Sequence, residues 1–128
     1  MALILIVDDD ADLVQILTRA LEAGGYEVAS AGEPRAGMQR AREVKPDLII
    51  LDYHMPGETG AHLFESFRRN SATKTTPILF MSGDASQEQI REETADFSNT
   101  RFLPKPAHIA ELHKTLKEML AAVPKARS

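Results

Sequence analysis

Apolar residues in this chain fall into short runs separated by stretches of helical spacing. Leu3–Val7, Leu48–Leu51 and Ile78–Met81 are nearly continuous, and weaker runs stand at Glu27–Ala29 and Arg101–Leu103. A strand with one wet face alternates apolar and polar residues. A continuous run predicts a strand covered on both faces, as in a parallel sheet. Between the runs, Leu13, Ile16, Leu17, Ala20 and Leu21 follow the spacing of one helix face, and Gly24-Gly25 ends that helix. Pro34 opens a second helix, Pro46 precedes the third strand, and Leu63, Phe64 and Phe67 mark the apolar side of a third helix. Ser86, with Gln89 three residues on, forms a capping box for a fourth helix, whose stripe of Ile90, Thr94 and Phe97 is thin. Ile109, Leu112, Leu116, Met119 and Leu120 form the stripe of a fifth. Five strands alternating with five helices predict an α/β fold: a doubly wound parallel sheet with helices on both faces.

The chain has 128 residues, enough for one domain with its own core. The absence of Cys excludes disulfides and thiolate metal sites and fits a reducing compartment. Met1–Val7 lacks the basic start and length of a signal peptide, and no apolar run approaches a membrane span. Cytoplasmic localisation is the expectation. Fifteen Lys and Arg against nineteen Asp and Glu, a net charge of −4, argue against nucleic acid as the main partner.

In an open parallel sheet, ligands bind beyond the carboxyl ends of the strands. Here the strongest polar groups fall at those ends. Asp8-Asp9-Asp10 follows the first strand, Asp52 the third, Ser82-Gly83 the fourth, and Lys105 the fifth, between Pro104 and Pro106. Carboxylates brought together repel, so one stays protonated or a cation sits among them. Hard oxygen donors without His or Cys suit Mg²⁺. One Asp at the start of a helix is a sufficient N-cap, and Asp9 or Asp10 can serve; three in a row exceed that need. A carboxylate emerging from a buried strand beside such a cation can be a nucleophile toward phosphorus, a role open to Asp52. The alternative is a loop Asp that caps the third helix, for which Glu58 or Thr59 stands nearer. Lys105 supplies a point cation for a phosphoryl oxygen or for Asp52, and Ser82 a hydroxyl donor.

Together these residues resemble the receiver domain of bacterial two-component response regulators. The resemblance rests on Asp8-Asp9, on Asp52 within Asp-x-x-Met-Pro-Gly, on Ser82, and on Lys105 within Leu-Pro-Lys-Pro. It covers Leu3 to about Leu120. It implies a flavodoxin-like sheet of order 2-1-3-4-5 and Asp52 as phosphoacceptor. Mg²⁺ would be held by Asp8, Asp9, Asp52 and the backbone carbonyl of His54. Ser82 and Lys105 would contact the phosphoryl group, and Ser82 and Phe102 would act as switch residues. The implied partners are a sensor histidine kinase or a histidine phosphotransfer protein, and a downstream protein reading the face of the fourth helix, fifth strand and fifth helix. Direct binding of nucleic acid or membrane is not implied. Gly83, where relatives often carry Ala, and Asp96–Thr100 before the fifth strand depart from the family pattern.

Residues 1–122 are expected to form the receiver and 123–128 a tail, with no output domain. The protein is expected to catalyse only its own phosphorylation and dephosphorylation. Two rivals compete. An Asp-nucleophile phosphohydrolase would use carboxylates two apart, for which Asp8 and Asp10 fit loosely. A pseudo-receiver would dock without being phosphorylated, and would not need the full acidic set. His54, two residues past Asp52, is placed to influence an attacking water or simply faces solvent. His62, His108 and His113 lack metal-ligand spacing and read as surface residues. Tyr26 reads as packing near the end of the first helix.

Overall fold

A computed structural model of the chain describes residues 2–55, 58–83, 88–90, 99–105 and 108–121. Its main sheet has five parallel strands: β1 (Leu3–Val7), β2 (Glu27–Ala31), β3 (Leu48–Asp52), β4 (Ile78–Ser82) and β5 (Thr100–Pro104). Their order is 2-1-3-4-5, as the resemblance implied. The helices α1 (Ala11–Ala23), α2 (Pro34–Val44), α3 (Gly60–Arg69) and a C-terminal helix (Ile109–Ala121) lie between and after them. Two further strands of two residues, His54–Met55 and Glu58–Thr59, pair antiparallel and reverse the chain between β3 and α3. The fourth helix lies outside the described residues, including its expected cap Ser86 and stripe residues Thr94 and Phe97. Residues 88–90 are the exception: they are helical, and Ile90 is fully buried. The tail, 123–128, also lies outside.

The strength of each apolar run matches its position in the sheet. The continuous runs became the three inner strands, β1, β3 and β4, buried almost throughout. The weaker runs became the edge strands β2 and β5, where one side of the ladder is open. Alternate residues of each inner strand feed two separate cores. Leu5, Val7, Ile49, Leu51, Tyr53 and Phe80 pack with Leu63, Phe64 and Phe67 of α3. Ile4, Ile6, Leu48, Ile50, Leu79 and Met81 pack with Leu17 and Leu21 of α1 and Leu112 and Leu116 of the C-terminal helix. With both faces committed to helices, polar groups that must remain wet are confined to the strand ends.

Gly60 fixes how close α3 comes to the end of β3. Its N–H donates to the Tyr53 carbonyl at 2.6 Å. A Cβ built there would stand 2.6 Å from Tyr53 Cα and 3.0 Å from the Asp52 carbonyl oxygen, both backbone atoms that cannot swing aside. Among the described residues, a Cβ on Gly83, past the end of β4, would come no closer than 3.9 Å to a neighbour, Lys105 Cβ. Gly60→Ala should therefore lose about 1–3 kcal/mol in urea unfolding, the range for forced overpacking, while Gly83→Ala should stay within about 0.5 kcal/mol of the parent. Equal midpoints for the two variants would contradict this account of the β3–α3 approach.

Candidate functional site

The carboxyl ends of β1, β3 and β5 bring one acidic group of three and one ammonium together. Asp8 and Asp9 follow β1, Asp52 ends β3, and Lys105 follows β5. Oxygens of Asp8, Asp9 and Asp52 all lie within 4.8 Å of one another. Asp8 and Asp52 are 4% and 6% exposed, and Asp9 is open to solvent. Lys105 Nζ donates to Asp8 Oδ2 at 2.8 Å and stands 3.3 Å from Asp52 Oδ1. Its backbone is pinned as well: Lys105 N–H donates to the Ser82 carbonyl at 2.9 Å and extends the β4–β5 ladder by one rung.

The three consecutive aspartates divide their work. Asp10 is the N-cap of α1, its Oδ1 accepting from Leu13 N at 3.1 Å, while its own N–H donates to Asp8 Oδ1 at 2.9 Å. The cap needs one carboxylate, and Asp10 alone provides it. Asp8 and Asp9 remain for the cluster. This weighs against the phosphohydrolase reading, which would use Asp8 and Asp10 as its acidic pair.

Burial raises the pKa of Asp52 to about 6, with the charge of Asp8 adding to the rise; Lys105 and the His54 N–H, 3.4 Å from Oδ1, work against it. For Lys105, burial disfavours the ammonium. The hydrogen bond and charge of Asp8, and then those of Asp52, outweigh this and hold its pKa above the ordinary lysine value. A carboxylate left ionised here is thus short of compensating positive charge. The donor set, three hard oxygens on two buried carboxylates and one wet one, fits Mg²⁺, which accepts few protein ligands and keeps waters on its open side.

The other residues singled out from the sequence take varied positions. Ser82 is buried at the end of β4, and Phe102, opposite Phe80 in the β4–β5 register, is half-buried against the core beside α3. His54 is exposed, its ring edge-on to Tyr53 with centroids 5.1 Å apart. His62 and His108 are exposed. His113 departs from its reading as a surface residue: it is half-buried and stacks on Tyr26, centroids 6.2 Å apart, where Gly24 leaves room for its ring. Two features escaped the sequence reading. Gly60 looks like any turn glycine until its contacts are seen. Tyr53, directly after Asp52, buries its ring beside Phe80, and its hydroxyl has no hydrogen-bond partner among the described residues.

The profile of the response regulator receiver domain matches residues 4–117, nearly all of the fold just described. The chain belongs to the response regulator receiver family. It is 31% identical over 117 residues to the phosphate regulon transcriptional regulatory protein PhoB of Pseudomonas aeruginosa, covering 91% of this chain and 51% of that one. It is 34% identical over 121 residues to the transcriptional activator protein PfeR of the same organism, covering 94% and 38%. Among solved structures, this receiver resembles the chemotaxis protein CheY4 of Vibrio cholerae with a TM-score of 0.85 and 34% identity, covering 93% of this chain and 98% of that one. The chain spans about half or less of the length of the first curated relatives it matches.

The raised pKa of Asp52 carries a sign for stability. Between its unfolded value of 3.8 and about 6, the folded receiver binds more protons than the unfolded chain. Stability from this group is complete below the lower value and is lost as pH rises through the upper one. Asp52→Asn, which has no charge to bury, should therefore exceed the parent by about 1–2 kcal/mol at neutral pH, a figure discounted for solvent screening on the open side of the site. The gain should fade as pH falls from 6 toward 4. Urea midpoints measured across that range test it, and a variant less stable than the parent at neutral pH would contradict it.

Proposed function

We propose that this receiver takes a phosphoryl group on Asp52 and answers by changing its surface. The observation that supports this best is the placement of the Asp52 carboxylate: at the end of a fully buried central strand, 3.3 Å from the Lys105 ammonium, within a group of three carboxylates. An oxygen of ionised Asp52 attacks the phosphorus of a phosphohistidine on a sensor kinase or phosphotransfer protein. The N–P bond breaks, the imidazole leaves with the bonding pair, and an acyl phosphate forms. Asp52 is the nucleophile only when deprotonated, so its pKa of about 6 leaves it competent at neutral pH. Mg²⁺, held by Asp8, Asp9, Asp52 and the His54 carbonyl, supplies positive charge for the phosphoryl oxygens when bound. Lys105 offers the new phosphoryl group its ammonium, and Ser82 its hydroxyl.

The protein is a signalling module in this reading, with no separate substrate to turn over, and works in the cytoplasm. Among the described residues no helix is long and apolar enough to cross a membrane. Output passes to a downstream protein. Ser82 and Phe102 serve as the switch. Both stand on the face of the sheet that carries Phe80, and Phe102 occupies an edge strand where its ring is only partly covered. Drawing Ser82 toward the phosphoryl group shifts the segment after it and opens space for the ring to rotate inward. Burial of such a ring biases two states by about one to a few kcal/mol, enough to shift populations.

Two measurements test these steps. Incubation with acetyl phosphate and Mg²⁺, followed by intact mass, should show one phosphate-sized gain per chain that Asp52→Asn abolishes; a gain that persists in the variant would move the acceptor elsewhere. NMR shift maps with beryllofluoride should show Ser82 and Phe102 among the residues most displaced. Both unmoved, with other surface residues shifted, would refute this switch route.

A further inference from the structure

The face formed by α2 and α3 has a charge and shape that the phosphoryl chemistry does not use. The chain as a whole carries −4, yet these two helices and Lys45 hold six of its fifteen Lys and Arg and only two of its nineteen Asp and Glu, Glu43 and Glu65. This is a basic island on an acidic protein. A groove of about 440 Å³ runs between the helices. Met38, half-buried against the core, and Leu63, 2% exposed, form its apolar floor, with Ser66 at its side. Arg35 and Arg42 stand on its α2 wall.

The arginines of this face are not equivalent. Arg40 pairs with Glu43 and Arg69 with Glu65, while Arg68 lies over the Phe64 ring and donates to the Thr73 and Thr76 carbonyls. Arg35 and Arg42, both exposed, have no ion pair or hydrogen bond among the described residues. Seven residues apart, they are two helical turns apart on one side of α2, about 10 Å along its axis. Two unneutralised guanidinium groups at that spacing, with an apolar floor beside them, match a second helix bearing carboxylates seven residues apart and an apolar side chain between them.

We infer that the α2–α3 groove is a docking site for an acidic amphipathic helix of a partner protein. The apolar residue seats on Met38 and Leu63, and the two carboxylates pair with Arg35 and Arg42 in the helix-in-groove manner. A helix suits this site better than a nucleic acid strand. The floor between the arginines is apolar, and the negative charge of the rest of the chain repels a polyanion. The C-terminal helix packs on the opposite face of the sheet, so occupancy here leaves that helix free for a second partner.

The test uses the full chain and a fluorescein-labelled helical peptide with two Glu seven residues apart flanking Leu, beside the same peptide with Lys in place of Glu. Fluorescence anisotropy should show saturable binding of the Glu peptide and none of the Lys peptide. Binding should weaken as salt rises. Arg35→Glu combined with Arg42→Glu should weaken it at least roughly tenfold. Arg69→Ala should leave it nearly unchanged, and both variants should keep the parent's thermal melt. NMR shifts on peptide addition should cluster at Met38, Leu63 and Ser66. Absence of saturable binding, or an affinity indifferent to the double charge reversal, overturns the proposal. A single-stranded oligonucleotide that binds more tightly than the Glu peptide and loses binding in the same double variant also overturns it, and assigns the groove to nucleic acid.

Discussion

The contact between Lys105 and the paired carboxylates of Asp8 and Asp52 governs the rest of this structure. Two carboxylates almost closed off from water repel each other when charged. One ammonium, 2.8 Å from Asp8 and 3.3 Å from Asp52, offsets part of that repulsion. Its own backbone is held to the end of β4, so the counter-charge belongs to the sheet and does not wander as a surface lysine would. The balance is incomplete, since Asp52 still titrates well above an ordinary aspartate. That residual demand for positive charge suits a divalent cation at the cluster, as the proposed function requires.

That contact depends in turn on how the sheet is covered. Because helices lie on both faces, the inner strands carry no polar residue until they end, and the first polar positions of β1, β3 and β4 emerge at one edge. Gly60 lets α3 close tightly behind Asp52, and Asp10 takes over the capping of α1 so that Asp8 and Asp9 stay available. Each of these local choices narrows the freedom of a carboxylate that must stay both buried and reachable.

Much of this is legible in the chain itself. The inner strands announced themselves as Leu3–Val7, Leu48–Leu51 and Ile78–Met81, because double coverage leaves no room for alternation. The edge strands β2 and β5 each extend past the runs that marked them, since polar residues there, exposed Ser30 and buried Thr100, interrupt the apolar signal. The acidic cluster and Lys105 were readable from strand ends alone. Which aspartate would cap α1 was not, because the choice between Asp9 and Asp10 depends on where the first helical turn closes. Gly60 was missed for a similar reason: its role lies in the backbone of Tyr53, distant in pattern though close in space. His113 was misplaced because its cover comes from the α1 turn at Gly24 and Tyr26, a tertiary contact with no local mark.

The central claim is that Asp52 is held short of positive charge and that cations relieve it. Its most direct test is a ¹³C NMR titration of the Asp52 side-chain carboxyl in the parent and in Lys105→Met, each with and without Mg²⁺. The account predicts a midpoint near 6 in the metal-free parent, a higher one in Lys105→Met, and a clear fall on addition of Mg²⁺. A midpoint at the ordinary aspartate value, indifferent to both Mg²⁺ and the loss of Lys105, would contradict it.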